Sequence, residues 1–259
     1  MCLIAVAWKV HARYPLALVA NRDEAHARPS AAAGYDPDHH DVFGGRDLVQ
    51  GGGWLMLSTR GRLAAVTNVR VGRHPETAPL SRGALVRGFV AGSDTAQNYV
   101  ADLAKDAPRY GRFNLLVWDG SDLAFASNHP QFATRLVEPG VHAMSNGAFD
   151  APWPKGMRAT KALASWLDAK HDASPDTAQL FEALADTRPA PDADLPDTGV
   201  GIELERLLSP PFVSGESYGT RCSTIVLVGA DEVGFFERRF GPNAQPAGET
   251  AALLGLGRT

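Results

Sequence analysis

The chain opens on two nearly unbroken apolar runs. Residues 3–8 and 16–20 are almost wholly hydrophobic, and the polar connection His11-Ala12-Arg13-Tyr14-Pro15 lies between them. Runs of this kind predict strands buried on both faces. A hairpin of the two carries Asn21-Arg22-Asp23-Glu24, which follows the second run, back to the level of Cys2. A second hairpin is predicted where residues 54–58 turn at Arg60-Gly61 into residues 63–68, with Gly51-Gly52-Gly53 as a flexible entry and Asn68 as its last residue. Residues 26–41, rich in Ala, Pro and Asp, read as loop, and ordered chain resumes at Phe43-Gly44-Gly45-Arg46-Asp47.

The pattern then changes period. Leu85, Val86, Phe89 and Val90 recur at helical spacing within residues 81–91. A second helix is expected over 95–105, with Ser93 or Asp94 as N-cap. Strands follow over 113–118, 123–127 and 141–145, the last ending on Asn146-Gly147. The longest helical candidate is 155–171, with Met157, Leu163, Ala164 and Leu167 on one face, and a shorter one covers 177–185. Residues 188–201 are rich in Pro and Asp and read as a surface loop; strands return over 220–228 and 233–240, and nothing after Pro242 is patterned. Hairpins dominate and helices come in pairs. That order predicts a single α+β domain over residues 1–259, with antiparallel sheets and helix layers outside, rather than a doubly wound parallel sheet.

Composition narrows the class. The 259 residues are 44% hydrophobic, ample for a core, with a formal charge of −4. Nucleic-acid binding needs a clustered basic face, and the pairs Arg82/Arg87 and Arg238/Arg239 are too sparse to make one. Two cysteines, Cys2 and Cys222, suit a reduced, cytoplasmic setting better than a disulfide scaffold. The N-terminus lacks the basic segment and long apolar run of a secretory signal, and no stretch approaches the roughly 20 apolar residues of a membrane span. Integral membrane association is therefore not expected. The sequence leaves the oligomeric state open.

The candidate chemistry starts at Cys2. Cysteine is small, so Met1 is open to removal, which would leave a thiol and a free α-amine on one residue. An α-amine titrates at about 7.7–8.0 and a thiol near about 8.5, so the amine can take the thiol proton near neutral pH. Such a residue is a nucleophile with its own base. If its sulfur attacks an acyl carbon, an oxyanion develops, and asparagine amides or backbone N–H groups are suited to hold it. Asn68 and Asn146 sit at strand ends, Arg22, Asp23 and Glu24 follow the second strand, and Arg221 opens a late one. Each also has a structural reading. Cys2 can start a buried strand as a small hydrophobe, Asn21 to Glu24 can form a capped turn, and Asn68 and Asn146 can be ordinary turn residues. Arg46 and Asp47 can pair to hold a loop, and Cys222 reads as a core thiol. His39-His40-Asp41 lacks a third spaced ligand, so no metal site is expected, and the glycine triplet does not open a helix as a phosphate cradle would.

Several of these stretches occur together in a known pattern. "ANRDE" after the second strand, "GGRDL", "GGGWLMLSTRGRLAAVTNVR" and the late "YGTRCST" resemble the NRDE family, which includes the transport and Golgi organisation protein 2 homologues. The N-terminus is also similar to the N-terminal-nucleophile hydrolases, especially choloylglycine hydrolases and penicillin V acylases. That similarity implies a four-layer αββα sandwich with the active site at one end of the sheets. It implies Cys2 as nucleophile and, through its amine, general base. It implies Arg22 as the arginine after the second strand, Asn68 and Asn146 as oxyanion-site asparagines, and Arg221 as the late active-site arginine. Asp23 would hold the amine, but its spacing departs from the acylase pattern, so Glu24 competes for that role.

Two functions are expected from different classes. One is an amidohydrolase that cleaves a linear C–N bond in a small substrate of unknown identity through Cys2. The other is a non-catalytic binding or trafficking protein on the same fold. For it the family resemblance implies lipid or haem as ligand, and a cysteine thiolate or a histidine could ligate haem iron. No cofactor is expected in the first reading.

Overall fold

The computed structural model describes residues 2–73, 76–169 and 175–257. In chain order the strands are β1 (Cys2–Trp8), β2 (Leu16–Ala25), β3 (Ser30–Tyr35), β4 (Val42–Asp47), β5 (Gly53–Ser58), β6 (Arg62–Asn68), β7 (Phe113–Trp118), β8 (Leu123–Ser127), β9 (Ala133–Leu136), β10 (Gly140–Met144), β11 (Tyr218–Val228), β12 (Glu232–Phe240) and β13 (Pro246–Gly255). The helices are α1 (Arg82–Ala91), α2 (Ala96–Asp102), α3 (Pro154–Asp168), α4 (Ala178–Leu184) and α5 (Ile202–Leu207). The chain divides into two compact units, one of residues 1–27, 70–73 and 139–253, the other of residues 28–69, 74–138 and 254–259.

The first unit is built on a six-stranded sheet in the order β10-β1-β2-β11-β12-β13. Its ladders from β10 through to β12 are antiparallel. Leu3, Ala5 and Ala7 of β1 and Ala17 and Val19 of β2 turn one face of this sheet toward α3 and α4. There they meet Ala159, Leu163, Trp166, Leu180 and Phe181 in one buried cluster. Side chains alternate along a strand, so Cys2, Ile4, Ala20 and Arg22 take the opposite face. Of the stripe expected on α3, Leu163 and Leu167 are buried, but Met157 and Ala164 are not. Met157 is half-exposed while Trp166 is buried, because the helix faces β1 along 159, 163, 166 and 167. α3 ends at Asp168 with Ala169 as an extended C-cap. The expected continuation over residues 170–171 lies outside the described residues.

The second unit has a seven-stranded antiparallel sheet in simple sequence order from β3 to β9. α1 and α2 cover it through Leu85, Val86, Phe89, Val90, Ala96 and Val100, packed on Met56, Ala64, Phe113 and Leu115. Ser81 caps α1 by accepting from Gly83 N–H. Thr95, rather than Ser93 or Asp94, caps α2, its hydroxyl accepting from Asn98 N–H. The glycine triplet has a packing role. Gly52 has φ +75°, and a Cβ there would come within 2.3 Å of the Gly83 carbonyl group at the start of α1. Asp47 pairs with Arg28 at 2.5 Å.

Two antiparallel sheets with paired helices are the α+β class read from the sequence. Four elements were not legible. β3 lies inside the expected loop 26–41, and β9, β13 and α5 carry no clear apolar period: β9 and most of β13 are exposed. The larger correction concerns β2, which does not stop at Ala20. It runs on through Asn21-Arg22-Asp23-Glu24 to Ala25, because β11 pairs with it there, Gly219 opposite Glu24 and Thr220 opposite Asp23. The polar quartet is thus inside a central strand, not in a turn after it.

Candidate active site

Cys2 is the first residue of β1 and pairs in register with Arg22 on β2. Placing four polar residues at the end of a central strand forces each to find a buried partner. Asn21, fully buried on the helix face, does so structurally. Its Nδ2 donates to the carbonyls of Leu184 and Pro211, both at 2.8 Å, and its Oδ1 accepts from Ser223 Oγ at 2.6 Å. Arg22, 6% exposed, takes the face shared with Cys2. Asp23 returns to the face of Asn21, and its Oδ1 accepts from Thr220 Oγ1 at 2.7 Å. Glu24 turns back on its own backbone, accepting from Ala25 N–H at 2.9 Å. Of the two competing carboxylates, Asp23 is therefore the one built into the interior beside Cys2.

The thiol responds to this setting. Burial pushes the Cys2 pKa up and the Asp23 charge adds to that, while the Arg22 guanidinium and a hydrogen bond from the Asp23 backbone N–H pull it down. Burial likewise raises the Asp23 carboxyl, opposed by Lys155, the Thr220 hydroxyl and Arg22. A buried carboxylate and thiol with two cations facing them form a compact titrating cluster, the kind of environment that marks reactive sites.

The segment after β10 is tied to the same spot. Ser145 Oγ donates to the Cys2 carbonyl at 2.9 Å. Asn146, fully buried, offers its backbone carbonyl to Arg70 N–H at 2.8 Å and its Oδ1 to Lys155 Nζ at 3.2 Å. Lys155 is only 2% exposed. Burial lowers its pKa from 10.5 to about 8, with Arg70 pushing the same way and Asp23, Cys2 and Glu205 opposing. A second buried pair braces this wall. Arg70 Nη2 meets Glu205 Oε2 at 2.5 Å, and Thr198 links the two, accepting from Arg70 Nε and donating to Glu205 Oε1.

The structure thus brings together Cys2, Arg22, Asp23 and Asn146 of the expected residues. Arg221 does not open β11. It sits at a register shift between Thr220 and Cys222, and its Nη1 donates to the carbonyls of Ala25 and His26 at 2.9 and 3.3 Å. An extra residue of this kind re-aims a side chain, here onto the end of β2. Asn68 is the last residue of β6 in the second unit, opposite Phe113. Cys222 is the core thiol expected, 3% exposed. Sequence reasoning missed Lys155, Thr220 and Tyr218, whose phenol is kept protonated by burial and by the charges of Asp23 and Cys2. For Lys155 a signal existed: a lysine in the first turn of a helix opposes the helix dipole and needs another reason to be there. Among the described residues no cluster of three or more His, Cys, Asp or Glu is arranged to hold a metal ion, and no helix is long and apolar enough to cross a membrane.

Two antiparallel sheets, each with helices packed on it, place the chain in the α+β class, with a fold like that of N-terminal-nucleophile hydrolases. Within it, the chain belongs to the family described as Transport and Golgi organisation 2, which matches residues 1–242. A Bos taurus Transport and Golgi organization protein 2 homolog is 31% identical over 243 residues, covering 87% of this chain and 86% of the relative. Among solved structures, a Caenorhabditis elegans N-acylethanolamine-hydrolyzing acid amidase ortholog aligns with TM-score 0.51 at 9% identity, covering 87% of this chain and 92% of that one. Penicillin V acylase from Agrobacterium tumefaciens aligns with TM-score 0.49 at 14% identity, covering 90% and 82%.

Proposed function

We propose that this protein is an N-terminal cysteine amidohydrolase that cleaves a linear C–N amide bond in a small substrate, with Cys2 as nucleophile once Met1 is removed. The observation that carries the reading is the placement of Cys2 directly across the ladder from Arg22, with the Asp23 backbone N–H hydrogen-bonded to its sulfur. A structural cysteine at a strand end has no use for a buried guanidinium and a buried carboxylate beside it. The fold it shares with an amide-hydrolysing enzyme supports the same reaction class by analogy.

In this mechanism the α-amine of Cys2 takes the thiol proton, and Asp23 holds the resulting ammonium. The thiolate adds to the amide carbon and forms a C–S bond. The oxyanion that develops is held by the Asn146 amide and nearby backbone N–H groups. The ammonium then gives its proton to the leaving nitrogen, the C–N bond breaks, and the amine departs. Water, deprotonated by the same amine, attacks the thioester. The carboxylic acid leaves and the thiol is restored.

Intact mass and N-terminal sequencing of protein made without an N-terminal tag, followed by iodoacetamide labelling, test the reading. Loss of Met1 and labelling at Cys2 are expected. Retention of Met1, with labelling confined to Cys222, would overturn it.

A further inference from the structure

Lys155 has a position that ordinary fold stability does not explain. It is fully enclosed, it stands in the first turn of α3 where the helix dipole disfavours a cation, and its Nζ lies 3.2 Å from Asn146 Oδ1. An ammonium only donates, so this contact favours Oδ1 facing Lys155 and Nδ2 turned the other way, and Ser145 Oγ, 3.3 Å from the same Oδ1, acts with it. Ser145, next in chain, ties the same segment to the Cys2 carbonyl. The donor end of Asn146 is thus set relative to Cys2 through two adjacent hydrogen bonds.

We propose that Lys155 is a positioning residue of this site: by donating to Asn146 Oδ1 it fixes the amide so that Nδ2–H meets the oxyanion formed when Cys2 is acylated. This rests on the acyl-transfer reading above. Accepting a charged hydrogen bond at Oδ1 also draws electron density from the amide, which makes Nδ2–H a stronger donor. The charged and titratable groups that act on Lys155 come from several elements. They are Asp23 on β2, Arg70, Cys2 on β1 and Glu205 on α5. Asp23 opposes the burial penalty most and keeps the ammonium charged through neutral pH.

The test separates two reactions of the same sulfur. Iodoacetamide alkylates at a saturated carbon and forms no oxyanion. p-Nitrophenyl acetate acylates through one. Both are followed by intact mass at Cys2 in wild type, Lys155→Met and Asn146→Ala. Lys155→Met removes a cation near the thiol and so can slow both reactions, but it should slow acylation by about ten-fold or more beyond any slowing of alkylation, toward the roughly hundred- to thousand-fold loss known for removing an oxyanion donor. The double variant should be no slower than Asn146→Ala alone. Equal slowing of both reactions, or of neither, would overturn the proposal.

A measurement on wild type alone covers the case in which the variant does not fold. The Asn146 Nδ2 resonances, followed by NMR beside the Lys155 Cε resonance, should titrate with one shared midpoint near about 8. Flat Asn146 resonances while Lys155 titrates would mean that the contact does not couple them, and would sink the proposal. If wild-type Cys2 is alkylated but never acylated, the amidohydrolase reading fails, and the NMR result still decides whether Lys155 sets Asn146.

Discussion

Arg22 faces Cys2 across the β1–β2 ladder, and the two side chains share one face of the sheet. Of the groups that act on the thiol, burial and the Asp23 charge favour the protonated form, and the Arg22 cation works against both. Arg22→Leu should therefore raise the Cys2 pKa further and lower the thiolate fraction at neutral pH. The rate of iodoacetamide labelling at pH 7 is expected to fall about ten-fold, and the midpoint of the rate–pH profile should move up. An unchanged midpoint would remove Arg22 from the electrostatics of the site.

Asn21 belongs to the same sequence motif but does a different job. Its amide bridges the carbonyls of Leu184 and Pro211 to the hydroxyl of Ser223, so it ties β2 to β11, to the end of α4 and to the segment leading into β11. Asn21→Ala strands three buried polar groups, and the expected loss of stability is about 2–4 kcal/mol. Urea unfolding measures that. At low temperature, where the variant is folded, the pH profile of Cys2 labelling should match wild type. A shifted profile with unchanged stability would reverse the assignment and place Asn21 in the site.

These two neighbours show what the sequence could tell and where it ran out. The apolar runs of β1 and β2 were plain, and their hairpin predicted that Cys2 and the polar quartet would meet. The extent of β2 was not, because its polar half is made acceptable only by pairing with β11, some 200 residues away in the chain. Composition alone cannot separate Asn21, which knits strands, from Arg22, which shares the thiol's face of the sheet, or from Asp23, whose backbone N–H reaches the sulfur. For Lys155 the first-turn position was a signal, but what it touches was hidden for the same reason. Its partners Asn146 and Asp23 come from other parts of the chain, and only the packing of α3 on β1 and β10 brings them together. Asn68, a strand-end asparagine as expected, is placed by the local hairpin and its pairing with β7.

The second unit has its own acid-sensitive link. Arg87 on α1 grips Asp36 through two hydrogen bonds, 2.8 and 2.6 Å, and also reaches Asp38. The Arg87 hydrogen bond, with the backbone N–H groups of Asp38 and His39, lowers the Asp36 pKa from 3.8 to about 2. A carboxylate with a depressed folded-state pKa stabilises fully above its unfolded value, and that stability is lost as pH falls from about 3.8 through about 2. Asp36 is buried but Arg87 is about a third exposed, so screening trims the contribution to about 1–2 kcal/mol. Asp36→Asn should therefore be less stable than wild type at pH 6 and should close that gap near pH 2 in thermal melts. A gap that stays constant with pH would show that the ion pair contributes nothing beyond its shape.

Lys155 gives the opposite slope, and the sign follows from the direction of its shift. Its folded-state pKa is lowered from 10.5 to about 8 by burial. Between those values the unfolded chain still holds the proton that the folded chain has released. The unfolded state therefore binds more protons there, and stability rises with pH. Below about 8 the ammonium remains buried at its full desolvation cost, offset in part by Asp23 and Asn146 Oδ1. Compared with Lys155→Met, wild type should gain roughly 1–2 kcal/mol in urea unfolding between about pH 7 and pH 9.5. A difference that fell with pH would identify Lys155 as a lysine stabilised by its partners, as in an ordinary surface ion pair. A rising difference would show instead that the fold tolerates a costly buried cation next to Cys2, which is what a residue kept for the chemistry of the site, rather than for stability, should look like.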